Sequence, residues 1–122
     1  MVPFSRVTQT MIVSAWHDGG SSFGLRVQED NVSLYFRPEW TEVTLHLPGQ
    51  IRPIRVPLTE SFWSSAPELR SPSIRHFFER HGLIPWEKKR PPHFELEPLG
   101  GGSFRLHWLE KFEGQFSLAF DL

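Results

Sequence analysis

Between positions 70 and 90 the chain carries six cations, Arg70, Arg75, Arg80, Lys88, Lys89 and Arg90, against only Glu79 and Glu87. The local charge is +4 in a chain whose total is −1. Trp86 stands within this run, next to Lys88, Lys89 and Arg90. An indole beside guanidinium and ammonium groups is the combination that single-stranded nucleic-acid sites use, with the cations on phosphates and the ring under a base. The same residues also have a structural use. Cations late in a helix complement its dipole, a Lys-Lys-Arg run before Pro91-Pro92 is often a solvated loop, and an indole can roof a core.

Other chemistries fit the sequence less well. The chain has six histidines, but His76 and His81 stand five apart on one expected helix and turn away from each other. His46, His93 and His107 lie on separate expected strands, facing away from the apolar set, so no metal site or other cofactor is expected. No Gly-x-Ser-x-Gly turn is present, and Ser21, Ser22 and Ser103 follow glycines in turns that lead into strands, which suits neither a nucleophile elbow nor a phosphate cradle. No complete catalytic constellation emerges, and the expectation is a protein that is not an enzyme.

The elements that must position these residues follow from periodicity. Arg6 to Trp16 reads as a strand, stopped by His17-Asp18-Gly19-Gly20-Ser21-Ser22, and Phe23, Leu25 and Val27 answer it as the second arm of a hairpin. Residues 28–40 fit two readings. Val32, Leu34 and Phe36 alternate like a strand, which is the preferred reading, while Asp30 suits the cap of a helical turn. Val43, Leu45 and Leu47 alternate with Glu42, Thr44 and His46. Ile54, Val56 and Leu58 continue that period after Pro48-Gly49-Gln50, and Pro53 and Pro57 place this strand at a sheet edge. A short helical turn is expected near residues 61–70, limited by Pro67.

The main helix is the best signalled element. Ser71 is a good N-cap, Pro72 suits the first position, and Ile74, Phe77 and Phe78 form one stripe. Gly82 and Leu83 supply a Schellman ending, and Pro85 bars continuation. Phe94 with Leu96, then Phe104, Leu106 and Trp108, and last Phe116, Leu118, Phe120 and Leu122 predict a three-stranded meander that turns first at Gly100-Gly101-Gly102. The expected fold is α+β, a single domain over 1–122, with a mostly antiparallel twisted sheet or partly open β-barrel and one main α-helix packed against it.

Composition agrees. Eleven phenylalanines, five tryptophans and eleven prolines suit many short strands joined by rigid turns. The absence of cysteine excludes disulfides and thiolate chemistry and favours a reducing compartment. Met1 to Arg6 lacks the apolar stretch of a signal peptide, and no run is long enough to span a membrane, so the expectation is a cytoplasmic protein with no membrane partner.

Two groups of residues carry a resemblance. Phe62-Trp63 with Pro67-Glu68-Leu69, and Gly82 to Trp86 with Pro91-Pro92 and Phe94-Glu95-Leu96, resemble an uncharacterised family of small bacterial proteins, which implies no activity. The run Pro85 to Arg90 is similar to a segment near the C-terminus of tRNA lysidine synthetases, but the ATP-handling domain of those enzymes has no counterpart here, so no catalytic residue is implied. The preferred reading is a non-enzymatic binding module that contacts nucleic acid through Arg70, Arg75, Arg80, Trp86, Lys88, Lys89 and Arg90. The alternative is a module that binds another protein or a second copy of itself, because tryptophan is enriched at interface hot spots.

Overall fold

Strict alternation of buried and open positions runs through most of the strands, and it curls the chain around a single apolar interior. A computed structural model describes residues 9–109. Its elements are β1 (Met11–His17), β2 (Phe23–Val27), α1 (Glu29–Tyr35), β3 (Glu42–His46), β4 (Ile54–Pro57), α2 (Glu60–Ser64), β5 (Glu68–Arg70), α3 (Pro72–Arg80), β6 (His93–Gly100) and β7 (Ser103–Trp108). The strands form one seven-stranded sheet in the order β4-β3-β7-β6-β1-β2-β5. The edge strands β4 and β5 approach each other, so the sheet is nearly closed into a barrel.

Inside lie Met11, Val13 and Ala15 of β1, Leu25 of β2, Val43 and Leu45 of β3, Leu69 of β5, Phe94 and Leu96 of β6, and Phe104 and Leu106 of β7. Aromatic rings fill both ends. At one end α3 lays Ile74, Phe77 and Phe78 inward, and Phe78 stacks on Phe94 with ring centroids 6.1 Å apart. At the other end Phe36 stacks on Phe104 at 4.9 Å and meets Phe62 at 5.1 Å. Each fully buried aromatic contributes about 2–3 kcal/mol by removing apolar area from water.

The helix α3 forms as its sequence predicts. The Ser71 hydroxyl accepts from the Ser73 amide at 3.1 Å. At the other end Leu83 N–H donates to Phe78 O at 2.9 Å and Gly82 N–H to Glu79 O at 3.1 Å, a Schellman pair made possible by Gly82 at φ +68°.

Three expectations need correction. Residues 29–35 are helix and not strand. Leu34 is 70% exposed while Phe36 is buried, which breaks the alternation, and Val32 and Tyr35, three apart, are the pair that packs on the core. Helices number three among the described residues, so α3 is not the one main helix. The stretch 61–70 is not all helical turn, since α2 ends at Ser64 and Glu68–Arg70 pairs with β2. The sheet is mostly antiparallel, as expected, and the exception is β3 with β7, which run parallel, Leu45 opposite Phe104. The second neighbour of β7 is thus β3, and the last arm of the expected meander, 116–122, lies outside the described residues.

One glycine is fixed by packing. A Cβ on Gly24 would stand 2.2 Å from the Leu69 carbonyl oxygen and 2.9 Å from its carbon, both backbone atoms of β5. We expect Gly24→Ala to force β5 away from β2 and to destabilise the fold by about 3 kcal/mol. Chemical denaturation checks this value, and a loss below about 0.5 kcal/mol would show that β5 is not held so closely.

Candidate functional site

The hairpin of β1 and β2 reaches the end of the barrel that α3 closes, and the basic segment gathers around it. On one flank, β5 runs beside β2 and leads through Ser71 into α3. On the other flank the loop 86–92 runs beside β1, where Ala15 N–H donates to Pro92 O at 2.8 Å. The chain thereby brings residues 70–75 and 86–90 to the two sides of one hairpin.

Trp16, Gly24 and Arg70 stand in one row across β1, β2 and β5. Gly24 has no side chain, so Arg70 reaches over it and places its guanidinium 4.7 Å from the centre of the Trp16 ring. The other four tryptophans pack against the core cluster, and Trp16 does not. Its place on the outer face follows from the alternation of β1, where Met11, Val13 and Ala15 point inward and Ile12, Ser14 and Trp16 outward. That signal is present in the sequence, and grouping Trp16 with the apolar residues of the strand misses it.

Arg70 is held in place by Glu68. The Glu68 side chain is 1% exposed, and its carboxylate accepts from Arg26 and, at 2.9 Å, from Arg70, both about half exposed. One carboxylate between two guanidiniums leaves a net positive charge at the surface. Arg75 lies 5.3 Å over the Phe23 ring, pairs with Glu79 at 3.1 Å and donates to Ser21 O at 3.4 Å. Arg70 and Arg75 line one open basin of about 560 Å³ with Ser21, Ser22, Ser71 and His76.

Trp86 is half-buried and meets His17, Phe23 and Phe78 edge-on at 5.1, 6.1 and 5.8 Å. It therefore roofs the α3 end of the core and presents only part of its surface. Arg90 pairs with Glu87 at 3.4 Å, an exposed pair of small energy. Lys88 and Lys89 are exposed and make no ion pair among the described residues. Lys89 has φ +64°, the left-handed region that favours glycine or asparagine. Arg80 does not join this surface. Five positions after Arg75 it is turned roughly 140° about the helix axis, and it does not line the basin.

An acid also belongs to the hairpin. The Asp18 carboxylate accepts from the Gly20 amide at 2.8 Å and from Ser22 at 3.3 Å. The Gly20 bond is the main reason its pKa lies below the ordinary value, with the Ser22 amide and the charge of Arg70 adding to it and desolvation opposing. Above the ordinary carboxylate range the turn keeps this contribution in full, and it loses it as pH falls through the lowered value.

Among the described residues no cluster of three or more His, Asp or Glu is placed to hold a metal ion, and no helix is long and apolar enough to cross a membrane. Comparison with protein-family models, with curated proteins and with solved structures finds no match to this chain.

The Glu68 clamp is directly testable. Glu68→Gln removes the charge that holds Arg26 and Arg70, and because both guanidiniums are half exposed the expected loss is only about 1–3 kcal/mol. Thermal denaturation of the two proteins reads it. The Arg70 side-chain signals should also lose the ring-current shift from Trp16.

Proposed function

We propose that this protein is a non-enzymatic binding module for single-stranded nucleic acid, and that the strand lies across the β1–β2 hairpin end of the barrel. The observation that carries this reading is Trp16, half-buried, outside the core cluster, and overlaid by Arg70. A base stacks on the accessible part of the Trp16 ring, because every base has a π face whatever its sequence. Arg75, facing the basin, takes a phosphate on one flank. Its partner Glu79 is exposed, so exchange of that weak pair for a phosphate costs little. Lys88, Lys89 and Arg90 take phosphates on the other flank, and Trp86 with His17 forms the floor between them.

Arg70 differs from the role expected of it. Shared with Glu68, it orients Trp16 and adds positive charge but does not grip a phosphate alone. Arg80 lies off the track. The partly sequestered Trp86 contributes an edge where Trp16 contributes a face. Asp18 at the tip opposes a polyanion, which favours a single strand that passes beside the turn over a rigid duplex laid on it.

The test is fluorescence anisotropy with an oligonucleotide of about a dozen nucleotides, a length that fits one small barrel. Affinity should fall as salt rises, with a log–log slope of about −0.7 for each phosphate neutralised, hence about −3 for four contacts. Trp16→Leu should weaken binding about ten-fold or more. Lys89→Gly should weaken it by a smaller factor while leaving stability equal or higher, because glycine relieves the left-handed backbone. Binding that is absent at low salt, or insensitive to salt, would refute the proposal.

A further inference from the structure

A second cluster of cationic and imidazole groups lies away from the hairpin, where β7 meets the turn between β3 and β4. In the parallel ladder His46 stands beside Arg105. Their neighbours Leu45 and Phe104 point into the core, so His46 and Arg105 both face outward. His107, two residues further along β7, shares that face. The turn that follows β3 rises beside them, closed by Gln50 N–H to Leu47 O at 3.2 Å and by Gly49 at φ +77°. Together His46, Gln50, Arg105, His107 and Trp108 line an open groove of about 430 Å³.

The pairing of the nearest acid decides what this groove lacks. Glu97 stands directly across the ladder from Arg105, the natural place for a cross-strand ion pair. Its carboxylate instead accepts from His107 Nε2 at 2.7 Å. Arg105 is left exposed and makes no ion pair among the described residues. By contrast, the groove beside β1 and α1 holds Arg26 next to Glu29 and Asp30, and that guanidinium is already bound to Glu68.

We propose that the groove at His46, Gln50 and Arg105 binds a phosphate group. The Arg105 fork offers two parallel N–H donors to a tetrahedral anion, and the His46 ring and Gln50 amide add donors from the wall of the turn. Glu97 is held on His107, and its charge confines an anion to the side of Arg105 that faces His46 and Gln50. A phosphate reaches this groove either as the terminus of a nucleic acid or on a small phosphorylated molecule. The site is independent of the hairpin surface, since none of its residues belongs to it.

The experiment uses the full chain, labelled with nitrogen-15, titrated with inorganic phosphate against sodium chloride at equal ionic strength. Saturable shifts of the Arg105 side-chain Nε–H, the His46 ring and the Gln50 amide are expected with phosphate alone. Arg105→Gln, a change at an exposed position, should weaken the affinity at least about ten-fold. Shifts that are linear, that chloride reproduces, or that persist in Arg105→Gln would overturn the proposal. Competition by a 5′-phosphorylated oligonucleotide, and not by its 5′-hydroxyl twin, would uphold it with a nucleic-acid end as the source. Equal behaviour of the two, with phosphate still saturating, would uphold it with a small phosphorylated molecule as the source.

Discussion

The carboxylate of Glu68 is almost completely removed from water, and such burial is costly unless cations reach it from outside. Arg26 from β2 and Arg70 from β5 both do so. The three residues together hold a strand of only three residues against its neighbour, and such a strand has few ladder hydrogen bonds of its own to keep it there. The rest of the surface at this end depends on that clamp. It fixes where β5 ends, hence where Ser71 caps α3, and it turns Arg70 across the bare Cα of Gly24 onto Trp16.

This arrangement gives two aromatic groups different work. Trp86 closes the core over Phe23 and Phe78, while Trp16 stays outside it. Positive charge at this end is then only partly cancelled, and Arg70 brings it to the outer ring. One buried carboxylate faces two guanidiniums, and the exposed pairs Arg75–Glu79 and Arg90–Glu87 are weak enough to open toward a stronger anion. The same logic applies at β7, where Glu97 turns to His107 and Arg105 has no ion-pair partner among the described residues.

Much of the barrel is legible in the sequence because local rules decide it. Alternation reveals the inward faces of β1, β3, β6 and β7, and Ser71, Pro72, Gly82 and Leu83 mark both ends of α3. What escapes is decided by distant contacts. Val32, Leu34 and Phe36 fit a strand by spacing, yet the core accepts Val32 and Tyr35 from a helical turn. The strand Glu68–Arg70 is too short to show a period, and nothing local records that residues 42–46 run parallel to 103–108. The candidate site shows the same division. The basic run is visible as charge, whereas its partition around a hairpin some fifty residues earlier, and the part of Trp16, depend on sheet order.

Fluorine-19 spectra of protein carrying 5-fluorotryptophan test the central claim most directly, because the five indoles report on both ends of the barrel at once. Trp40 and Trp63 pack near Phe36 and Phe62 at the far end, and Trp→Phe variants assign the signals. On addition of a short single-stranded oligonucleotide the Trp16 resonance should shift most and Trp86 less, while Trp40 and Trp63 stay in place. A shift confined to Trp40 or Trp63, or no shift of Trp16 at saturating oligonucleotide, would contradict the account.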